Sequence, residues 1–317
     1  MARNYLITGG AGFIGSNLAF ALVAGGNDVG IIDDLSTGKR ENLHPQAWTR
    51  KADILDSVFP ALVAEFAPDA VVHLAAQASV GESLRDPERD WAVNAEGTRV
   101  VARAATASGA GRMVSASSAA VYGEPDAADL PLAETAPKAP ANPYGRSKLA
   151  AEGLLADTLL GTGVDFASFR FSNVYGPRQD AQGEGGVVAL FAAAMAEGRP
   201  PRVYGSGEQT RDFIYVGDVV GALIAAVFSD AKLAIGPGDA AAYNVSTGRE
   251  TSVNDLLGAM RTASGYAGPA ESAPVREGDV LRSSLDPGKA SRTFGWQARQ
   301  TLALGAEMTW RWFAARP

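Results

Sequence analysis

Cysteine is absent from the 317 residues, and histidine occurs only as His44 and His73. The lack of cysteine excludes disulfides, thiolate nucleophiles and cysteine-ligated metals, and it favours a cytoplasmic location. Two histidines are too few for a histidine-ligated metal centre, so no metal is expected. We expect His73 to be a buried, hydrogen-bonded residue at the end of a strand.

Positive charge and long apolar runs are also scarce. The formal net charge of −7 repels a polyphosphate backbone, so nucleic acid is not expected as a partner. The most apolar later window, residues 219–228, is about half of the ~20 residues that a membrane span needs, and we expect a buried helix there. The N-terminal "MARNYLITGGAGFIG" breaks into glycines too early for a signal peptide and is read as mature protein.

Short β-rich runs alternate with alanine-rich helical stretches over much of the chain. The runs include "NYLIT", "DVGIID", "AVVHLA", "RMVSASS" and "DFASFRF", which are apolar on both faces. This alternation predicts an α/β fold, a Rossmann-type doubly wound parallel sheet, with ligands at the carboxyl ends of the strands. We expect residues 1–173 to form the first domain, with residues 214–248 returning to it. Residues 174–213 and 249–317 are expected to form a smaller, C-terminal substrate-binding domain.

A glycine-rich turn follows the first predicted strand. Gly9, Gly12 and Gly15 have the spacing G-x-x-G-x-x-G in "TGGAGFIG". Such glycines allow a tight turn, close approach of a pyrophosphate and close packing of a helix whose N-terminal amides face the anion. Asp33 ends the next strand 18 positions after Gly15, close to the ~20 at which an acidic residue meets an adenosine ribose. The pattern predicts NAD, because a carboxylate there repels the 2′-phosphate of NADP.

Two basic residues, Lys39 and Arg40, follow this acid and leave NADP open as an alternative; a solvated loop is the plainer reading of them. Other predicted strand ends bring Asp53, Ile54 and residues 74–76 to the same edge, and Asn94 lies in the helix after the fourth strand. Asp53 is a candidate for the adenine amino group. Each of these residues alone is more typical of a structural role.

Tyr144 and Lys148 lie four residues apart in "NPYGRSK", just after Pro143, which suits the first turn of a helix. The spacing puts both side chains on one face. A neighbouring ammonium stabilises a phenolate, so we expect Lys148 to lower the pKa of Tyr144 toward that of a general base and also to bind a nicotinamide ribose. Alone, the pair is typical of a packed tyrosine and a solvated lysine, but the glycine turn, the acid and the serines of "SASSAAVYG" favour the catalytic interpretation.

With these motifs the sequence resembles the extended short-chain dehydrogenase/reductases and, within them, the UDP-sugar epimerases related to UDP-glucose 4-epimerase. The resemblance covers nearly the whole chain. It is carried by "TGGAGFIG", "DDLSTG", "HLAAQASVGES", "NAEGT", "SSAAVYG", "NPYGRSK", "RFSNVYGPR", "GGVVALF", "VYGSGEQTRDFIYVGDVV" and "REGD".

The resemblance implies a role for each matching residue. Tyr144 acts as base on the sugar O4 hydroxyl, Ser118 hydrogen-bonds the same oxygen, and Lys148 tunes the tyrosine; Ser117 lines the nicotinamide. The residues expected to contact NAD are Gly9, Gly12, Phe13, Ile14, Gly15, Asp33, Asp34, Leu35, Ser36, Thr37, Gly38, Asp53, Ile54, Leu74, Ala75, Ala76, Gln77, Asn94, Ser117, Tyr144, Lys148 and Phe171. Those expected to contact the UDP-sugar are Ser118, Tyr144, Asn173, Val188, Tyr204, Arg211, Arg276 and Asp279.

Ala119 and Ala120 bear on which reaction of the family is expected. Dehydratase relatives carry an Asp-Glu pair at these positions, and the related decarboxylases carry a Glu at the position of Ala120. Loss of water needs a proton donor and a base, and alanine is neither. The resemblance therefore favours a UDP-glucose 4-epimerase that acts by transient oxidation at C4 with tightly bound NAD.

Three other possibilities remain open. A UDP-glucuronate 4-epimerase also lacks the acid pair, but Asp180 stands where those enzymes have an arginine for the substrate carboxylate, unless Arg178 takes that role. Ser283 aligns with a bulky tyrosine of glucose-restricted relatives, so N-acetylated sugars are also candidate substrates. A silent NAD-binding sensor is disfavoured because both Tyr144 and Lys148 are present. The family further implies a homodimer through the helices around residues 93–108 and 143–159.

Overall fold

The computed structural model describes residues 3–181, 186–275 and 280–316. Its strands are β1 (Asn4–Thr8), β2 (Asp28–Asp33), β3 (Trp48–Lys51), β4 (Ala70–His73), β5 (Arg112–Ser118), β6 (Asp165–Phe171), β7 (Asn173–Tyr175), β8 (Arg202–Tyr204), β9 (Thr210–Arg211), β10 (Phe213–Tyr215), β11 (Ala242–Val245), β12 (Thr251–Ser252) and β13 (Glu271–Ala273).

A seven-stranded sheet in the order β11-β6-β5-β4-β1-β2-β3 forms the centre of the molecule, and all of its neighbouring strands pair in parallel. The chain leaves β1 toward β2 on one side and reaches β4 on the other, so the strand order reverses beside β1. This confirms the expected Rossmann-type doubly wound α/β fold. Ligands of such sheets bind at the carboxyl ends of the strands next to the reversal.

The helices of the described residues are α1 (Phe13–Ala24), α2 (Phe59–Phe66), α3 (Val80–Arg85), α4 (Pro87–Trp91), α5 (Gly97–Ala107), α6 (Pro143–Leu159), α7 (Val187–Ala196), α8 (Val216–Phe228), α9 (Val253–Ser264), α10 (Gly288–Phe294) and α11 (Leu302–Ala314). The helices α1, α2, α5, α6, α8 and α10 cover the two faces of the central sheet. A π-helical turn, Ala92–Glu96, joins α4 to α5. α3, α4, α7, α9 and α11 lie beyond the layers that cover the sheet.

The alternation of side chains along β1 explains the two covering layers. Tyr5 and Ile7 point into one hydrophobic cluster, which includes residues of α1 and α8, whereas Leu6 points into the other, with residues of α5 and α6. Successive residues of a strand face opposite sides, so a strand buried on both faces is apolar throughout. The apolar window at residues 219–228 is part of the buried helix α8, as expected.

A separate hydrophobic cluster joins α7, α9 and α11, and three two-stranded sheets, β10-β7, β12-β9 and β13-β8, lie outside the central one. One part of the predicted division differs from the packing. Ala290 and Phe294 of α10, together with Trp296, pack in the cluster of the central sheet, although they fall in the predicted second domain. The buried Trp296 indole donates a hydrogen bond to the Asp218 carbonyl of α8 at 3.0 Å, which attaches this segment to the first domain's core.

None of the helices within the described ranges has the length and apolar character needed to cross a membrane.

Candidate active site

The glycine turn between β1 and α1 has the geometry of a pyrophosphate cradle. Gly9 has φ +74°, and a Cβ on Gly15 would lie 2.2 Å from the Gly9 carbonyl oxygen, so neither position accepts a side chain. A Cβ on Gly12 would meet only that same carbonyl, at 3.2 Å. Gly12 is the N-cap of α1 and provides no side-chain cap, so the first amides of the helix are left to bind an anion. The turn fits the diphosphate of a dinucleotide.

Asp33 lies at the carboxyl end of β2, beside the glycine turn. Its carboxylate is 7% exposed and accepts hydrogen bonds from the Ala11 and Leu35 amides at 2.9 and 2.8 Å. Burial raises the pKa of Asp33, while these two amides oppose the increase. A carboxylate has about four acceptor positions, so capacity remains for two ribose hydroxyls.

The loop at residues 34–38 folds back onto the same turn. A Cβ on Gly38 would lie 2.8 Å from both the Ala11 methyl and the Asp33 carboxylate. Within the loop, the Ser36 amide and hydroxyl both donate to the Asp34 carboxylate. The predicted cofactor residues of this segment, Asp34, Leu35, Ser36, Thr37 and Gly38, therefore lie around the glycine turn.

The loop after β4 meets the turn from the other side. A Cβ on Gly9 would lie 2.6 Å from the Ala75 amide nitrogen, which makes residues 74–77 direct neighbours of the turn. Asn94 accepts the Gln77 amide and donates to the Gln77 carbonyl at 2.9 and 3.0 Å, and it is 1% exposed. The side chain of Asn94 thus holds the loop in position, and its contact with a cofactor stays a prediction.

Two further predicted contacts are used inside the protein. The Ile54 side chain is buried in the core cluster under α5, so only its backbone is available to a ligand. Asp53 accepts the Leu55 amide at 2.9 Å and is half-buried at the sheet edge.

His73 is a buried core residue, as expected: its ring nitrogens contact the Thr8 and Thr98 hydroxyls at 2.7 and 3.2 Å. Burial and the charge of Lys148 lower the pKa of His73 to about 3, so it is neutral.

Tyr144, Lys148 and Ser118 come together at the carboxyl end of β5. Asn142 caps α6 by accepting the Gly145 amide, and Pro143 occupies the first turn, so the helix begins just before Tyr144. The Lys148 ammonium lies 5.9 Å from the centre of the Tyr144 ring and donates to the Ala116 carbonyl at 3.1 Å. Tyr144 is hydrogen-bonded to Ser118. Phe171 pairs with Ser118 across the sheet.

The electrostatics differ from the expectation that Lys148 lowers the pKa of Tyr144. Burial raises the pKa of Tyr144 and outweighs the opposing hydrogen bond to Ser118, and the negative charge of Asp90 adds to the increase. Burial also lowers the pKa of Lys148 to about 8, against the charges of Asp90 and Glu152. The cost of burying a phenolate is therefore larger than the benefit from the hydrogen bond to Ser118.

The two adjacent serines of β5 have different environments. Ser118 caps the following turn by accepting the Ala120 amide at 3.1 Å. The hydroxyl of Ser117 is buried and donates to the Glu152 carboxylate at 2.5 Å. Glu152 in turn forms a buried ion pair with Arg170, at 2.7 Å. The hydroxyl of Ser117 is thus bonded within the protein interior, and its expected place beside the nicotinamide stays a prediction.

The predicted substrate residues are spread over the C-terminal half. Asn173 is exposed in β7, while Tyr204 and Arg211 are half-buried in β8 and β9. Val188 is 2% exposed within the cluster of α7, α9 and α11, so its predicted contact with the uridine would come from its backbone. Arg276 and Asp279 lie outside the described residues.

The loop after β7 is attached to the N-terminal part of the chain. Arg178 stacks over the Phe20 ring at 4.1 Å and donates to the Asn17 side chain at 3.0 Å, both on α1. Asp180 forms an ion pair with Lys39 at 3.3 Å, next to the Asp33 loop. Arg178 is therefore engaged by α1, and the charge of Lys39 has an acidic neighbour.

Sequence reasoning missed Asp90, a buried carboxylate beside the catalytic helix. Its Oδ1 accepts from the side-chain amides of Gln77 and Asn94 at 2.7 and 3.1 Å. The signal was present as an Asp and an Asn at i and i+4 in "DWAVN", which puts them on one helical face. Within the described ranges, no group of three or more His, Asp or Glu residues is arranged to hold a metal ion.

Comparisons with known proteins match nearly the whole chain. The family model described as "NAD dependent epimerase/dehydratase family" matches residues 5–245. The chain is 42% identical to the UDP-glucose 4-epimerase of Mycolicibacterium smegmatis over 97% of both proteins. It is similar to the structure of UDP-glucose 4-epimerase with UDP-glucose from Thermotoga maritima, with TM-score 0.90, 37% identity and 98% of each chain covered. The corresponding values for the Thermus thermophilus UDP-glucose 4-epimerase in complex with NAD are 0.88, 38% and 98% of each chain.

The family model spans the glycine turn, Asp33 and the Tyr144, Lys148 and Ser118 group. Because the fold, these residues and the full-length relatives agree, the chain belongs to the NAD-dependent epimerase/dehydratase family.

Proposed function

We propose that this protein is a UDP-hexose 4-epimerase that interconverts UDP-glucose and UDP-galactose and retains NAD between turnovers. The observation that carries the proposal is the group of Tyr144, Ser118 and Lys148 at the end of β5, with no acid in the adjoining turn. The 42% identity to a UDP-glucose 4-epimerase over nearly the whole chain supports it.

The proton chemistry is assigned to Tyr144. Its phenolic oxygen removes the proton of the sugar O4 hydroxyl and later returns one, which is general base and then general acid catalysis. Ser118, already hydrogen-bonded to Tyr144, orients the same oxygen. Lys148 provides a positive charge on the same face of α6 and stabilises the deprotonated tyrosine.

The residues that fit NAD are the glycine turn for the diphosphate, Asp33 for the adenosine ribose and Lys148 for the nicotinamide ribose. When bound, NAD supplies a reversible hydride acceptor, so C4 of the sugar can be oxidised and then reduced from its other face in one site. The fit of a diphosphate is supported by the uncapped amides of α1 and by the absence of a Cβ at Gly12.

Ala119 and Ala120 limit the reaction to epimerisation. They form a short 3-10 turn directly after β5, and the Ala120 amide donates to Ser118. Neither methyl group can donate a proton to a leaving hydroxyl. The turn therefore provides no acid that could protonate a leaving hydroxyl, as a dehydration requires.

A neutral sugar is favoured over a glucuronate. Arg178 is held against Phe20 and Asn17, and Asp180 is directed to Lys39. In this arrangement the Arg178 guanidinium is held by α1, and Asp180 is itself negatively charged, so the two residues provide no positive charge for a sugar carboxylate. UDP-glucuronate 4-epimerisation is therefore the weaker candidate.

Contacts to the nucleotide are part of the proposal. Arg211 and Arg276 have the planar guanidinium that suits phosphate oxygens, and we assign them to the diphosphate with Asn173. Tyr204, Asp279 and the backbone at Val188 are assigned to the uridine and its ribose. Ser283 is small, so an N-acetyl group on the sugar is also expected to fit.

We base the proposed oligomeric state, cellular location and metabolic role on the resemblance to the family. α5 and α6 pack against each other, and their outer faces form a shallow groove lined by Arg99, Arg103, Leu154 and Asp157. We propose that this surface pairs with a second copy in a homodimer in the cytoplasm, where the protein serves galactose metabolism. Sedimentation equilibrium tests this part, since a single species at the mass of one chain contradicts it.

The function is tested with the purified protein and separate samples of UDP-glucose, UDP-N-acetylglucosamine and UDP-glucuronate, with no added NAD. Proton NMR of the products should show UDP-galactose from the first sample. UDP-N-acetylgalactosamine should appear in the second sample if Ser283 admits the larger sugar. Conversion of the glucuronate alone would favour the rival epimerase, and no conversion of any sugar, with NAD bound, would favour a silent sensor.

A further inference from the structure

Asp90 is a buried charge next to the catalytic helix that the proposed mechanism leaves without a role. It lies in α4, which packs against α6, and it is 0% exposed. Its Oδ1 accepts from two amides, but its Oδ2 is buried and has no hydrogen-bond partner among the residues that the structure describes. An unpaired carboxylate oxygen in an apolar environment is costly unless a nearby positive charge compensates it.

A hydrogen-bond network joins Asp90 to the second turn of α6. Asn94, which donates to Asp90, also donates to the Ser147 hydroxyl at 3.1 Å, and Ser147 precedes Lys148. Separately from this network, Ser83 of α3 accepts the Tyr144 amide at 3.2 Å. Asp90 is thus fixed relative to the turn of α6 that carries Lys148.

The other negative charge that raises the pKa of Lys148, that of Glu152, is shared with a direct cationic partner. Glu152 forms a bidentate ion pair with Arg170 of β6, which also binds Asp239, and His73 of β4 is neutral. On α3, Glu82 pairs with Arg85, and next to α5 Glu96 of the π-helical turn pairs with Arg99. Arg103 on α5 is exposed. Within the described ranges, Asp90 is the buried negative charge near Lys148 that has no cation in direct contact.

We propose that Asp90 is a positioning residue of the active site, whose fixed carboxylate is the counter-charge of the Lys148 ammonium and keeps that group positively charged beside Tyr144. This inference rests on the proposed function. The direction of the electrostatics agrees with it, because Asp90 raises the pKa of Lys148 and also that of Tyr144. Removing its charge should therefore lower both pKa values.

The test compares the pH dependence of kcat of two purified holoenzymes, the unaltered protein and its Asp90→Asn variant. Asparagine keeps an acceptor for Gln77 and Asn94 and removes the charge. Because the charge of Asp90 raises the pKa of both Tyr144 and Lys148, both limbs of the profile should move to lower pH, by about 0.5 to 1 pH unit. The control is Glu88→Gln, an exposed carboxylate on the same helix, which should leave both limbs in place.

A structural role alone predicts a different result. If Asp90 only holds Gln77 and Asn94, the limbs of the Asp90→Asn profile stay where they are, whatever happens to the rate, and the proposal is wrong. Asp90→Glu keeps the charge and should retain the original limbs even if the rate falls. Should Asp90→Asn fail to fold, Asp90→Ser gives the same comparison.

A second measurement does not depend on turnover. The ultraviolet absorbance of the Tyr144 phenolate, obtained as the difference between chains with and without Tyr144→Phe, should titrate at lower pH in the Asp90→Asn background. An unchanged titration overturns the inference. If the unaltered chain epimerises no sugar, the proposed function fails, and this titration still decides the role of Asp90.

Discussion

At the scale of single residues, two residues that are adjacent in the sequence can have different hydrogen-bond partners and different roles. Ser117 and Ser118 are adjacent in β5, but one hydroxyl is bonded to buried Glu152 and the other to Tyr144. The alternation of side chains along a strand predicts that only one of two adjacent residues faces a given side. Sequence motifs identified the serine pair, Tyr144 and Lys148, but the direction of the pKa of Tyr144 depends on burial, which a motif does not contain.

Tyr144→Phe removes the proposed general base and keeps the ring. We expect kcat to fall by at least about 10²- to 10⁴-fold, the usual contribution of a positioned acid–base group. NAD content should be unchanged, because the glycine turn and Asp33 are intact. Turnover is followed by NMR and bound NAD by its release on denaturation; an unaltered rate would rule out the assigned mechanism.

Asp33→Asn removes the charge beside the adenosine ribose. Hydrogen bonds to charged groups contribute about 1.5 to 3 kcal/mol, so NAD affinity should fall by about 10- to 100-fold. The preference for NADH over NADPH should also weaken, because the repulsion of a 2′-phosphate is lost. Fluorescence titrations of cofactor-depleted protein measure both. Asp28→Asn, at the exposed opposite end of β2, is the control, and equal effects of the two variants would contradict the assignment.

At the scale of elements, the junction of β1, the glycine turn and α1 could be predicted closely. The apolar strand, the glycine spacing and the helical pattern gave the order that the structure has, with α1 at Phe13–Ala24. The outer sheets could not be predicted: β9 and β12 have two residues each, too few for any periodicity, and they exist through pairing between distant segments. In the network of Gln77, Asp90 and Asn94, the spacing of Asp90 and Asn94 is a local signal, but the contact with Gln77 is not visible in the sequence.

Gly15→Ala tests the close contact of α1 with the turn. The new Cβ would lie 2.2 Å from the Gly9 carbonyl oxygen, so the backbone must shift. We expect a loss of about 1 to 3 kcal/mol in the free energy of unfolding, together with loss of bound NAD.

The matched control for this variant is Gly153→Ala in α6, where a Cβ would have no neighbour within 4 Å. Alanine in a helix interior is favoured over glycine by about 1 kcal/mol, so this variant should be as stable or more stable. Denaturation and NAD content measure both chains. If Gly15→Ala behaves like the control, the packing explanation of the turn is wrong.

At the scale of the molecule, a buried polar centre links distant segments beneath the active site. Arg170 is 1% exposed and contacts Glu152 of α6, the Tyr122 hydroxyl, the Glu134 carbonyl and Asp239. The doubly wound sheet could be predicted from the alternation of strands and helices. This centre could not, because its members come from distant parts of the chain, and neither could the packing of Trp296 on the central sheet.

Arg170→Leu should strongly destabilise the chain, because Glu152 is left as a buried charge without its partner. Breaking a buried pair in this way costs about 3 to 5 kcal/mol. Arg202→Leu, which breaks an exposed pair with Glu271, should leave the urea midpoint unchanged. Similar midpoints for the two variants would show that the buried pair has no special weight in stability.

The central claim is that the sugar is oxidised and re-reduced at C4 with a cofactor that stays on the protein. The most direct measurement uses UDP-glucose carrying deuterium at C4, incubated with the purified protein in ordinary water without added NAD. We predict UDP-galactose that retains the deuterium at C4. Loss of the deuterium to water, or no conversion by protein that contains NAD, would contradict the account.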